Sequence, residues 1–157
     1  MPQPITLRVN GQTREAELEP DMPLLYYLRN HLELNGPKYG CGVQQCGACM
    51  VLLDGQAEPS CVISVSQVEG RDIKTLESIG NPGALHPLQQ AFVDEQAAQC
   101  GYCLNGVIVC AKALLDQNPS PSEREVRQAL ERVLCRCGTH SRMIRAVARA
   151  AGTVTAE

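Results

Sequence analysis

Gly40-Cys41-Gly42-Val43-Gln44-Gln45-Cys46-Gly47-Ala48-Cys49 places three cysteines and three glycines in one short run, and a further cysteine follows at Cys61. Successive cysteines are separated by four, two and eleven residues. The run has no apolar periodicity that would make its thiols core residues. Gly40, Gly42 and Gly47 stand beside the cysteines, where a missing side chain lets backbone N–H groups approach sulfur and permits dihedrals closed to other residues. Downstream, Met50 to Leu53 reads as a strand, Asp54-Gly55 as a turn, and Cys61 to Val65 as another strand with Cys61 as its opening residue. Loop and strand are therefore expected to bring Cys41, Cys46, Cys49 and Cys61 to one metal centre.

The four-two-eleven spacing is the plant-type iron–sulfur ligand pattern and favours a 2Fe-2S cluster. Zinc also accepts four thiolates and stays open as an alternative, although its structural sites usually set cysteines in two close pairs. Ahead of the loop, Thr6 to Val9, the turn pair Asn10-Gly11 and Thr13 to Leu18 predict a β-hairpin. Asp21 is placed to cap a helix of about ten residues, in which Leu24, Leu25, Leu28 and Leu32 recur at helical spacing and lie on the sheet.

A second quartet pairs Cys100-Gly101-Tyr102-Cys103 with Cys135-Arg136-Cys137. Helices are expected around it. His86 to Gln96 enters through Pro87 and packs Leu88, Ala91 and Phe92; Gly101 to Asp116 carries a stripe of Leu104, Val107, Ile108, Ala111, Leu114 and Leu115. Ser120-Pro121-Ser122-Glu123 reads as a cap, a first-turn proline and an acid at the box position before Val126, Leu130 and Val133, and a fourth helix begins near Ser141 with Ile144 and Val147. Short links favour an antiparallel four-helix bundle with both cysteine pairs at one end, beside a helix N-terminus whose partial positive charge suits an anionic cluster. Taken alone, this quartet also fits zinc. A thioredoxin-like dithiol is disfavoured because no strand precedes Cys100. The ninth cysteine, Cys110, falls on the helical stripe and reads as a core thiol.

The chain has 157 residues and a formal net charge of -3, which gives no broad basic field for nucleic acid. Arg132, Arg136, Arg142, Arg145 and Arg149 are spread through helical segments as solvated faces. The apolar region from Val107 to Leu115 is interrupted by Lys112 and is too short to enter a membrane as a span. No apolar leader precedes Ile5, and an odd cysteine count argues against a disulfide framework; a cytoplasmic protein is expected, with export inside a folded complex left open. His31, His86 and His140 form no metal-spaced motif. The expected class is α+β, with residues 1–80 and 81–157 as two small domains, each with its own metal centre.

Gly40-Cys41-Gly42, Cys46-Gly47-Ala48-Cys49, Cys61, His86-Pro87-Leu88-Gln89, Gln99-Cys100-Gly101-Tyr102-Cys103 and Cys135-Arg136-Cys137-Gly138-Thr139 together make the chain resemble the small iron–sulfur subunit of the molybdenum hydroxylases. That family includes xanthine dehydrogenases, aldehyde oxidoreductases and bacterial N-heterocycle dehydrogenases. The resemblance implies a plant-ferredoxin-like β-grasp domain followed by a four-helix domain, each with a 2Fe-2S cluster. It implies an oxidoreductase hetero-oligomer in which a large partner subunit holds the molybdopterin cofactor and oxidises an N-heterocycle or aldehyde. Electrons then cross this chain to an acceptor, which is a haem protein, a soluble carrier or a flavin (FAD) subunit. Gln99 corresponds to the residue that hydrogen-bonds the pterin and the backbone at Cys137 to another pterin-facing position, while Arg136 reads equally as a residue behind the site or at the interface and as an ordinary surface residue. Val43-Gln44-Gln45 departs from many flavin-linked relatives, where a glycine and an acid often occur, and leaves the acceptor open. The different-class alternative is a two-zinc structural or protein-binding module.

Overall fold

Asn10 and Gly11 hold φ of 52° and 77°, and Asp54 and Gly55 hold 50° and 82°, so two tight turns fold back two pairs of strands. In this computed structural model, which describes residues 1–152, β1 (Gln3–Val9) pairs antiparallel with β2 (Gln12–Leu18), and β3 (Met50–Leu53) with β4 (Gln56–Pro59). Residues 153–157, the end of the 81–157 segment, lie outside the described residues. Strand β5 (Asp72–Lys74) runs parallel to β1 and antiparallel to β3, closing a mixed sheet in the order β2-β1-β5-β3-β4.

Two local expectations are corrected in this half. The helix near Leu24 is shorter than expected: α1 (Leu24–Tyr26) passes into a π turn at Tyr27–His31, and its N-cap is Pro23, not Asp21. Its free N–H groups are taken by distant carbonyls, Leu24 by Ile63 (2.8 Å) and Leu25 by Ser60 (2.9 Å). The second correction concerns Cys61 to Val65, which is not a strand: it pairs only through an isolated antiparallel bridge of Ser64 with Pro23, made by the Leu24 N–H to Ile63 and the Val65 N–H to Met22 (2.9 Å), before the chain turns into a short 3-10 helix at Val65–Val68. Cys61 sits two places past β4, where Ser60 donates to the Cys49 carbonyl through both its N–H (3.3 Å) and its hydroxyl (2.7 Å).

The second half is helical: α2 (Pro87–Asp94), α3 (Leu104–Gln117), α4 (Glu123–Leu130) and α5 (His140–Ala150). His86 caps α2, accepting the Leu88 N–H on Nδ1 (3.1 Å), and Gln89 returns a bond to the His86 N–H (3.0 Å). The α4 cap is Ser122 with Glu125 as the box acid, two places later than the Ser120/Glu123 expectation. Glu95 at the end of α2 ties down α5 through Arg149 (2.6 Å) and Arg145 (3.2 Å).

Strand β3 joins the halves. All four of its residues are buried because its faces belong to different cores: Val51 and Leu53 pack with Ile5, Leu7, Leu28 and Ile73, whereas Met50 and Leu52 share a core with Val107 and Val109 of α3 and with Val133, which lies past the end of α4 and not on the helix face expected for it. The helical half thus covers the second face of the sheet.

Candidate metal centres

The Cys41–Cys49 loop points its backbone donors at sulfur. Cys41 Sγ accepts N–H groups from Gln45 (3.2 Å), Cys46 (3.3 Å) and Val43 (3.4 Å), while Cys46 Sγ accepts the Cys41 N–H at 3.3 Å. Those donors, Val43 foremost, bring the Cys41 thiol down to about 7 against the opposing effect of burial. Left-handed backbone at Gly42, Gln44 and Gly47 makes the convergence feasible. At Gly40 a Cβ would stand 2.6 Å from Cys46 Sγ, so glycine leaves the room that this sulfur occupies. Cys49 is buried and exchanges hydrogen bonds with Cys61; burial pushes its thiol up to about 12.

The second quartet is assembled from helix ends. Cys103 is the N-cap of α3, Cys135 lies beyond α4, and the two thiols share a hydrogen bond, with Cys100 near enough to raise Cys103 electrostatically. Burial pushes Cys103 up to about 12. Burial also pushes Cys135 upward, but the Thr139 hydroxyl (3.4 Å), the Thr139 backbone N–H, the Cys103 thiol and the Cys137 backbone N–H together outweigh it and hold the thiol at about 7. Cys137 is half-buried and Cys100 exposed. Among the described residues no group of three or more His, Cys, Asp or Glu closes as a site for a metal ion. The close contacts are pairwise, Cys41 with Cys46, Cys49 with Cys61 and Cys103 with Cys135, and pairs suit a centre that divides four thiolates between two irons. Cys110 is buried in the helical core, where burial raises its thiol to about 11, and it joins neither quartet.

The quartets lie against one another. The Leu134 N–H, next to Cys135, donates to the Cys46 carbonyl at 3.0 Å. Beside it Gly47 meets Gly106 of α3 so closely that a Cβ on Gly106 would lie 2.1 Å from the Gly47 oxygen, and one on Gly47 would lie 2.4 Å from the Arg132 oxygen. Asn105 Nδ2 donates to the carbonyls of Ala48 (2.9 Å) and Met50 (3.0 Å), and the Tyr102 hydroxyl donates to the Tyr39 carbonyl. The sequence flags Asn105 only as a polar residue in an otherwise apolar helix segment. Gln99, just before Cys100, is exposed, and its side chain makes no hydrogen bond among the described residues; Arg136 is exposed as well. Large apolar side chains stand in solvent on this half, Leu134 at 64% and Val93 at 60%.

A thiol-rich β-grasp loop seated on a four-helix cysteine site defines a two-centre iron–sulfur protein. Residues 7–75 match the 2Fe-2S iron-sulfur cluster binding domain and residues 75–148 the 2Fe-2S binding domain. The chain is 60% identical over 149 residues to a nicotinate dehydrogenase subunit of Pseudomonas putida, covering 95% of each. It is 45% identical to the alpha chain of isoquinoline 1-oxidoreductase of Brevundimonas diminuta, covering 91% of this chain and 94% of that one. Quinoline 2-oxidoreductase from Pseudomonas putida superposes with a TM-score of 0.88 at 37% identity over 96% of both chains. The aldehyde oxidoreductase of Desulfovibrio desulfuricans gives 0.92 at 44% identity, this chain spanning 18% of that longer one. The chain belongs to the family of small iron–sulfur subunits of the molybdenum hydroxylases. In that family the substrate chemistry takes place in a partner chain. Among the described residues no helix is long and apolar enough to cross a membrane.

Proposed function

We propose that this chain carries electrons from a molybdopterin-binding partner through two 2Fe-2S centres, held by Cys41, Cys46, Cys49 and Cys61 and by Cys100, Cys103, Cys135 and Cys137. The observation that carries the reading is the hydrogen bond from Leu134 to the Cys46 carbonyl, which joins the two cysteine loops directly. When bound, the clusters supply one-electron redox chemistry. The chain's own residues do the rest. Backbone N–H groups at Val43, Gln45 and Cys46 offset negative charge on sulfur, and the buried Cys49 and Cys103 keep water from one side of each centre. Gln99, exposed and with a free amide that can donate and accept, is assigned to the pterin together with the backbone at Cys137.

The oxidised substrate is an N-heterocycle, with nicotinate first among candidates because of the 60% identity to a chain of nicotinate dehydrogenase. The half-exposed Val43 loop is the exit, toward a flavin, haem or soluble acceptor. The proposed division stands at residues 80 and 81, five residues past the point where the two family matches meet, and a cytoplasmic complex is the setting proposed. Metal analysis of the native complex tests the reading. Two 2Fe-2S centres require four iron and four acid-labile sulfide per chain, and two zinc with no sulfide would overturn it in favour of a structural zinc module.

A further inference from the structure

Asn105 lies in the first turn of α3, two places after Cys103, and is 1% exposed. Its amide orientation is settled by chemistry: two carbonyl oxygens, Ala48 and Met50, lie on one side, so the NH2 group must face them. The amide oxygen is then left buried with no partner among the described residues. A fold that tolerates an unpaired buried oxygen does so for what the other end of the amide supplies.

The sheet shows why that supply is needed. In the β3–β5 register Leu52 faces Lys74, so continuation would set Met50 against Leu76; β5 stops at Lys74 and the chain turns into a short 3-10 helix at Leu76–Ser78. The Met50 carbonyl therefore has no strand partner at that position, and Asn105 takes its place. Ala48 and Met50 flank Cys49, so one side chain from the second cysteine site grips the first on both sides of a buried thiol. At the outer edge, Tyr102, between Cys100 and Cys103, makes an equivalent bond to the carbonyl of Tyr39, two places before Cys41. The direction of donation is the same throughout. Tyr39, Cys46, Ala48 and Met50 all offer carbonyls, and Tyr102, Leu134 and Asn105 all supply donors.

We propose that Asn105 and Tyr102 are positioning residues for electron transfer between the two centres: the start of α3 holds the first cysteine loop by its carbonyls and thereby sets the separation and orientation of the clusters. The proposal rests on the reading of both quartets as 2Fe-2S ligands. Asn105→Ala and Tyr102→Phe in the purified holo complex test it. Both variants are expected to keep wild-type iron and sulfide, to show altered magnetic coupling between the reduced clusters in electron paramagnetic resonance, and to pass electrons from the second centre to the first severalfold more slowly. Asn105→Ala removes two buried bonds and has the larger effect. Wild-type coupling and transfer rate in both variants at full cluster content would overturn the proposal. If Asn105→Ala loses its clusters, Tyr102→Phe decides alone, since it removes one hydroxyl from a half-exposed ring; unchanged coupling and rate in that variant would sink the idea. Failure of the underlying reading shows elsewhere, as wild-type protein without iron or sulfide.

Discussion

The two cysteine sites solve one problem with opposite materials. The first is an irregular loop whose own N–H groups turn inward to sulfur, at the cost of left-handed backbone at Gly42, Gln44 and Gly47. The second uses what helices leave over: the N-cap of α3, the stretch after α4, and Thr139 at the start of α5. Both sites use left-handed glycine, Gly42 and Gly47 in the loop and Gly101 and Gly138 beside the helix-end cysteines, but the loop must turn its own N–H groups inward, whereas helix termini already carry free ones. Each site also holds one thiol brought down to about 7 and one pushed up to about 12, Cys41 with Cys49 and Cys135 with Cys103. An outer, hydrogen-bonded sulfur and an inner, buried one recur on unrelated scaffolds.

The widest contrast comes from removing one ligand at a time. Cys46→Ser is expected to abolish the first centre and Cys103→Ser the second, each leaving two iron per chain and one of two paramagnetic signals; loss of both signals in either variant would mean that the sites are not separable. Next comes the seam between them. Gly106→Ala drives a Cβ to 2.1 Å from the Gly47 oxygen and should cost about 3 kcal/mol of stability in denaturant titration. Gly11→Ala, with open space around it but φ of 77°, should cost only about 1 kcal/mol of backbone strain. Equal losses would show that the seam is looser than its geometry.

Cys110→Ala sharpens the distinction between ligand and core thiols. It should leave four iron in place and lower stability by about 1 kcal/mol, the cost of a small cavity beside Val107 and Ala111. His86 gives a pH test. Burial first, then Lys112, lowers its pKa while Asp116 opposes, and its Nδ1 must be unprotonated to accept the Leu88 N–H. The unfolded chain takes up the proton first, so stability is full above the ordinary imidazole value and falls as pH drops through the lowered folded one. His86→Ala should flatten that limb in melting curves and cost about 1 kcal/mol at neutral pH. The smallest effect is Glu95→Gln. Hydrogen bonds from Arg149 and then Arg145 lower the Glu95 pKa, so its contribution is present above the ordinary carboxylate value and is lost as pH falls through the lowered one. The variant should lack that slight acid-side decline.

Much of this was legible because it is local. Asn10-Gly11 announces the hairpin, Pro87 after His86 opens α2, and the apolar stripe from Leu104 to Leu115 gives α3, although the helix begins at Leu104 and not at the expected Gly101. What escaped depends on partners distant in the chain. No pattern near Leu24 says that its N–H will find the Ile63 carbonyl, which leaves Asp21 with no capping role, and the strand expected after Cys61 shrinks to one isolated bridge between Pro23 and Ser64. Near α4 two capping patterns overlap, and the later one prevails because Glu125 bonds both the N–H and the hydroxyl of Ser122. The N–H of Ser120 is already taken by Asn118. Spacing groups the eight cysteines into two expected quartets, but it says nothing of the hold that Asn105 and Leu134 keep on the neighbouring loop, since that exists only once both halves are folded.

Strand β3 carries a practical consequence for anyone dividing the chain. A fragment of residues 1–80 would keep Val51 and Leu53 covered but turn Met50, Leu52 and Ala57 toward water as an apolar stripe beside the edge strand β4. Such a piece would be adhesive, prone to pairing with its own copies, and its transplantation as a free-standing electron carrier would call for a polar resurfacing of that stripe.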